Sequence, residues 1–196
     1  MEDILEVYAR PYNQHYPVVC MNESSMQLIG EVHEPIAATP GHPVLMDDEY
    51  VLKGVASIFM EVEPLGGKRK VKITEHRTKI DWAHFIEEML DKRYANADKV
   101  ILVADNLNTH KTASLYEAFP PEKARSLAER LEIHYTPKHG SWLNIAEIEL
   151  SVLKGQCLSK RIDCIEKVRA KVSVWNDDRN NLNQRLIGSF ARQMQE

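Results

Sequence analysis

Two stretches decide how this chain folds: KVILVADNLNTHKT at residues 99–112 and LEIHYTPKHGSWLNIAEIEL at residues 131–150. In the first, residues 99–104 are apolar, rich in β-branched side chains, and stop at Asp105, the pattern of a parallel strand buried on both faces. In the second, residues 131–135 make a similar run, closed by Thr136 and Pro137. A loop at 138–140 follows, and from about Trp142 the periodicity is that of a long helix carrying Glu147 and Glu149. An acid at a strand tip with acids on the next helix supplies what a hard divalent cation takes, because Mg²⁺ is held by one or two carboxylates plus substrate phosphates.

Upstream, residues 17–21 predict a strand, and 25–29 a partner for it after a tight Asn-Glu-Ser turn at Asn22, Glu23 and Ser24. Residues 34–48 contain Pro35, Pro40, Gly41 and Pro43 and predict a loop, and the acidic run Asp47, Asp48 and Glu49 before the next strand reads as solvated. Residues 51–63 alternate as a strand, 64–67 turn, and 68–74 alternate Lys with Val and Ile as an exposed strand does. Asp81 is expected to cap an amphipathic helix that gathers Trp82, Phe85, Ile86, Met89 and Leu90 on one face. Residues 112–119 and 121–130 predict a broken helical segment, with Pro121 in a first turn, and 163–175 a further helix. The tail 176–196, rich in Asn, Gln and Arg, shows little core pattern and reads as a frayed end or an arm for a second protomer. Antiparallel strands, helix, strand, helix, strand, long helix is the order of a mixed α/β sheet flanked by helices, with its site at the central strand ends. It is also the order of the RNase H-like fold.

At 196 residues the chain is long enough for one domain with a real core. With 25 basic and 29 acidic residues it has no global field for nucleic acid, so any such partner must meet a local patch. The candidate patch is Lys68, Arg69, Lys70, Lys72, Arg77 and Lys79, broken only by Glu75; the alternative is an edge strand protected by lysines. Trp142 is placed to stack on a base or to pack at the helix start. The three cysteines, Cys20, Cys157 and Cys164, form no C-x-x-C pair and predict reduced thiols in a cytosolic protein. His134 and His139 make no zinc spacing. No leader and no apolar run of membrane-spanning length is visible, so a soluble, cytoplasmic protein is expected.

The strings DNLNTH at 105–110 and HGSWLNIAEIEL at 139–150, with YEAFPPEKAR and HYTPK between them, resemble the catalytic domain of DDE-type transposases, nearest to the bacterial insertion-sequence relatives of mariner. EDILEVYARPY near the start and EPLGGKRKVKITEHRTKIDWAHF extend the resemblance over nearly the whole chain. It implies an RNase H-like (retroviral-integrase-like) fold, double-stranded DNA as substrate, a homo-dimer, and two Mg²⁺ or Mn²⁺ ions held by three acids. The second acid is carried over onto Asp105 and the third onto Glu147, which follows Leu143 and Asn144 as the family's acid follows its Leu-Asn. Where the family reads Val-Val-Cys-x-Asp-Glu, this chain has Val18, Val19, Cys20, Met21, Asn22 and Glu23, so the first acid is an amide.

An amide in that place brings no charge and one good ligand oxygen, so two dications about 4 Å apart are hard to retain. Glu23 substitutes only if the strand ends at Asn22 and the chain turns, since neighbouring strand residues face opposite ways. Glu147 and Glu149 are about 200° apart around a helix; Glu147 shares a polar stripe with Asn144, Ser151 and Lys154, which leaves Glu149 an auxiliary, solvated or locally paired acid. His110 and, less directly, His139 are candidates to orient water or touch a phosphate. The family's transposases also carry helix-turn-helix modules ahead of this domain, and none is expected in these 196 residues. Three readings follow: a DNA-cleaving and strand-joining transposase domain, a non-catalytic DNA-binding or dimerising remnant of one, and a structure-selective nuclease of the same fold.

Overall fold

The computed structural model describes residues 1–33, 39–41, 49–107, 109–182 and 185. The elements run α1 Glu2–Ala9, β1 Val18–Glu31, β2 Tyr50–Glu63, β3 Lys68–Thr74, α2 Lys79–Glu88, β4 Val100–Asp105, α3 Ala113–Ala118, α4 Pro121–Glu129, β5 Leu131–Thr136, α5 Ile145–Cys157 and α6 Ile165–Asn181. They build a five-stranded sheet in the order β3-β2-β1-β4-β5. The first three strands are antiparallel, while β4 and β5 run parallel to β1. This is the mixed, helix-flanked sheet expected of the RNase H-like fold.

Alternation along the strands splits the core in two. Cys20, Ile58, Met60, Ile101 and Val103 face α1, α5 and α6, meeting Ile4, Val7, Ala146, Leu150, Leu153, Val168 and Val172. Val19, Met21, Phe59, Val100, Leu102 and Ala104 face α2, α3 and α4 and meet Trp82, Phe85, Ile86, Leu115 and Leu127. Every residue of β4 before Asp105 is buried, as its unbroken apolar run requires.

Four local expectations are corrected. No turn interrupts β1 at residues 22–24: Asn22, Glu23 and Ser24 pair with Met60, Phe59 and Ile58, and the strand continues to Glu31. Pairing with a β2 just as long outweighs a turn that has no glycine to close it. A bulge between Leu28 and Ile29 lies opposite Gly54, whose φ of 129° explains a glycine there. The cap of α2 is Thr78, with Asp81 as the reciprocal partner in a capping box. Residues 141–143 form a 3-10 turn, so the long helix starts only at Ile145, after Asn144.

The fourth correction concerns the tail. Helix α6 runs on to Asn181, and its asparagines cover the outer edge of β3. Asn180 Oδ1 accepts from Arg69 N at 2.9 Å, Asn180 Nδ2 donates to Arg69 O at 2.9 Å, and Asn176 Oδ1 accepts from Val71 N at 3.2 Å. Polar side chains thus do core work by occupying an otherwise unpaired strand edge. The loop reading of 34–48, apart from 39–41 and including Asp47 and Asp48, lies outside the described residues, as does the tail beyond 182 except Arg185. Among the described residues no helix is long and apolar enough to cross a membrane.

Candidate active site

The parallel register of β1 and β4 ends with Met21 opposite Ala104, so the next residues, Asn22 and Asp105, are neighbours across strands roughly 4.8 Å apart. Both follow the alternation of Cys20 and Val103 and so face α5. Thr136, opposite Asp105 on β5, donates its hydroxyl to Asp105 Oδ1 at 3.1 Å. Asn144 completes the frame. Its Nδ2 donates to Met21 O at 2.8 Å and to Asp105 Oδ1 at 3.2 Å, while its Oδ1 caps α5 by accepting from Ala146 N at 3.1 Å. One buried amide thus joins both strand ends to the start of the helix that carries Glu147.

With two donors on Oδ1, Asp105 keeps its Oδ2 without a hydrogen bond among the described residues. In the first turn of α5, Glu147 Oε2 is buried and has no partner there either. A buried acceptor without a donor costs stability, roughly 1–3 kcal/mol, unless something absent from the free protein meets it. Glu147 borders an open pocket with Ser141, Trp142, Ile148 and Ser151, and Trp142 is 52% exposed.

Asn22 is buried, and its Oδ1 accepts from Glu23 N at 2.7 Å. Among the described residues Asp105 and Glu147 thus each keep one carboxylate oxygen without a hydrogen bond, whereas the amide oxygen of Asn22 is engaged. Among the described residues no three His, Cys, Asp or Glu side chains converge on a metal position. Two carboxylates suit a single hard dication that keeps water and substrate oxygens, whereas the bridging acid of a two-ion site is missing.

Several expected residues lie elsewhere. Glu23 is no substitute ligand: β1 does not end at Asn22, and the Glu23 carboxylate points to the opposite face, 2.9 Å from His110 Nε2. His110 is fully buried and stacked on Trp82, with Nδ1 donating to the Asp105 carbonyl at 2.9 Å, so it meets neither water nor phosphate. His139 is exposed in the loop before the 3-10 turn. Glu149 is not solvated; it is fully buried between Arg69 Nε at 3.1 Å and Arg179 Nη2 at 2.7 Å, on the side of α5 that faces β3 and α6.

Arg69 must also leave the DNA-contact set, because alternation turns it inward against Glu149 and burial lowers its pKa. Lys72 points to the α2 side, where it pairs with Glu88 at 2.8 Å, and Lys79 pairs with Glu117 at 2.7 Å. Lys68 and Arg77 are exposed, and Lys70 is half-buried. The strand that carries the basic segment is two strands from Asn22, and its lysines alternate away from the face of the acids. Asn144 and Thr136 are the frame residues that sequence reading missed; Asn144 carried a usable signal, an asparagine directly before a helical run.

The family model for DDE superfamily endonucleases matches residues 17–169, from the start of β1 into α6. The chain belongs to the DDE endonuclease superfamily. No curated protein matches it. Solved structures show the same fold: the Mos1 transposase paired-end complex with left transposon end has a TM-score of 0.63 at 17% identity, covering 99% of this chain and 57% of that one. The Mos1 strand transfer complex gives 0.59 at 16%, covering 90% and 51%, and the catalytic domain of Mos1 mariner transposase 0.57 at 14%, covering 98% and 88%. This DDE chain thus spans little more than half of the first Mos1 chain and most of the isolated catalytic domain.

Proposed function

We propose that this chain is the catalytic domain of a DDE transposase acting on double-stranded DNA, with Asp105 and Glu147 as its working acids and Asn22 where a third would stand. The observation that carries the reading is that Asp105 Oδ2 and Glu147 Oε2 have no hydrogen-bond partner among the described residues, while Asn144 ties the strand end of Asp105 to the helix that carries Glu147. Those two residues would hold Mg²⁺ or Mn²⁺, and a dication there supplies Lewis-acid activation for attack on a phosphodiester. The chain's own residues supply order. Asn144 and Thr136 fix the Asp105 carboxylate, His110 holds the Asp105 carbonyl from behind, and Asn144 caps the helix whose first turn carries Glu147. Trp142, exposed beside Glu147, is the side chain assigned to contact the DNA strand at the site, by stacking. Lys68, Lys70 and Arg77 would serve only DNA that wraps to the α2 side. The Mos1 structures were solved as complexes with transposon-end DNA and as a strand transfer complex, and the same class of substrate, with a second copy of the chain as partner, is proposed here.

Asn22 favours a second reading, a domain that binds DNA or pairs with a second copy without cutting. Nicking of supercoiled plasmid in Mg²⁺ and in Mn²⁺ separates the two, using the chain as it stands, Asn22→Asp, and Asn22→Asp with Asp105→Ala. Cutting by Asn22→Asp alone, abolished by Asp105→Ala, supports the transposase reading with its activity switched off at one residue. Equal cutting by the unmodified chain and Asn22→Asp supports it with a single-ion site. No cutting by any variant, with DNA retained in a mobility shift, moves the conclusion to the binding role.

A further inference from the structure

The hydroxyl of Tyr8, far from the site in sequence, reaches three parts of its frame at once. It donates to Leu143 O at 2.7 Å and accepts from Ile145 N at 3.4 Å, so it touches the residues on either side of Asn144. It also lies 3.3 Å from Cys20 Sγ, two residues before Asn22 on β1. Burial raises the Tyr8 pKa well above the ordinary tyrosine value, so the group stays a neutral hydroxyl with one proton to give. Its donor and its acceptor functions are both spent on the segment that turns the chain into α5.

That segment needs such a partner. Between the 3-10 turn Ser141–Leu143 and the first turn of α5, Asn144 has extended backbone, φ −83° and ψ 106°, while the 3-10 and helical ladders own the amides around it. Neither ladder supplies a donor to Leu143 O or an acceptor to Ile145 N, the orphan groups of a helix entry. Tyr8 supplies both, and α1 is held rigidly enough to do so. Ile4 and Val7 are fully buried, Asp3 pairs with His134 at 2.9 Å, and Arg10 pairs with Glu132 at 2.7 Å, both partners on β5.

We infer that Tyr8 is a positioning residue of the active site: α1 is part of the catalytic frame, and its hydroxyl sets the place of Asn144, hence of Asp105 Oδ1 and the Glu147 turn. The functional half of this inference rests on the transposase reading; the positional half does not. A segment that leads into the domain thereby has a direct mechanical hold on the helix that carries an acid. Displacing α1 by a few tenths of an ångström would loosen the Asn144 clamp without unfolding the sheet.

Hydrogen exchange read by mass spectrometry tests it on the whole chain with Tyr8→Phe, which keeps the ring, and with Val7→Ala, which weakens α1 packing and spares the hydroxyl. The expected result for Tyr8→Phe is exchange roughly five- to tenfold faster in peptides covering 141–150, the size of one lost hydrogen bond. Peptides covering β4 and β5 should be unchanged. Val7→Ala should speed exchange in α1 more than in 141–150. Unchanged exchange at 141–150 in Tyr8→Phe overturns the inference, and so does a uniform rise across the sheet, which would make Tyr8 a plain stability residue. In the Asn22→Asp background, Tyr8→Phe should lower kcat for nicking several-fold with KM unmoved; a rise in KM alone overturns the positioning role. If Asn22→Asp does not cut at all, the transposase reading fails and the exchange result still decides whether Tyr8 holds the clamp.

Discussion

His110 Nε2 lies 2.9 Å from Glu23 Oε1, with both side chains buried beneath the strand end that carries Asp105. The other ring nitrogen, Nδ1, faces the Asp105 carbonyl at 2.9 Å, and a carbonyl can only accept, so Nδ1 carries a proton. The contact with Glu23 then needs a proton of its own, either a second one on the imidazole or one on the carboxyl. The pair is a closed unit, backed by the Trp82 ring at 6.0 Å, that pins the loop after β4 to β1. Removing one partner strands the other in the core. Glu23→Ala and His110→Ala should each cost about 3–5 kcal/mol of unfolding free energy, and Glu23→Gln about 1 kcal/mol, because the amide still has an oxygen and an N–H to offer. Urea titration followed by circular dichroism measures this, and equal losses for Glu23→Ala and Glu23→Gln would show that the contact is packing alone.

Glu147 and Glu149 are two residues apart and should respond oppositely to mutation. Glu149 balances two guanidinium groups in the core, Arg69 and Arg179, so Glu149→Ala should destabilise by about 3–5 kcal/mol. Glu147 holds a buried oxygen with no donor among the described residues, so Glu147→Gln or Glu147→Ala should be neutral or stabilising by up to about 1 kcal/mol. Thermal melts without added metal give the comparison. A Glu147→Ala protein that melts well below the unmodified chain would mean that the carboxylate is structural.

The strands were legible where one physical signal dominated. The apolar run before Asp105 admits only a doubly buried strand, and the proline and threonine after β5 close it. Where two signals competed, local chemistry misled: Asn-Glu-Ser reads as a turn, yet β1 passes through it because β2 lies alongside for its whole length. Arg69 sits in a basic string but takes its role from alternation and from an acid 80 residues away on α5. The Asn-rich end of α6 looked coreless because its asparagines bind backbone edges, a function with no hydrophobic period. Tyr8 gave no signal of its positioning role, since nothing local marks a hydroxyl whose backbone partners, Leu143 and Ile145, lie more than 130 residues on.

The Lys72–Glu88 pair should make stability depend on acid pH. The Lys72 ammonium, 2.8 Å from Glu88, holds the Glu88 carboxyl below its ordinary value, and Arg93 adds a weaker pull at 3.6 Å. A carboxyl whose folded pKa is depressed stabilises above its unfolded pKa of about 4.3 and loses that stabilisation as pH falls through the folded value. Both side chains are about a quarter to a third exposed, so the effect is small, about 0.5–1 kcal/mol. Lys72→Met should be less stable than the unmodified chain by that amount at pH 7 and equal to it near pH 3. A gap of the same size at both pH values would assign the loss to the lysine's packing.

Cys20 offers a reporter for the docking of α1. Burial pushes its thiol up to about 12, and its sulfur lies against the Tyr8 hydroxyl, so it is shielded both from solvent and from ionisation. Cys157 is half-buried with its thiol also raised by burial, and Cys164 is half-buried at the N-terminus of α6. The thiolate is the reacting species. With iodoacetamide at pH 8, Cys164 should be alkylated first and Cys157 more slowly, and Cys20 on the order of a thousandfold more slowly than a free thiol, at a rate set by opening of α1. Peptide mapping over time resolves the three. Val7→Ala should speed Cys20 alkylation while leaving Cys157 and Cys164 unchanged, because only the cover over β1 has been loosened. Alkylation of Cys20 as fast as Cys164 in the unmodified protein would mean that α1 does not stay docked in solution, and the frame around Asn144 would then stand without it.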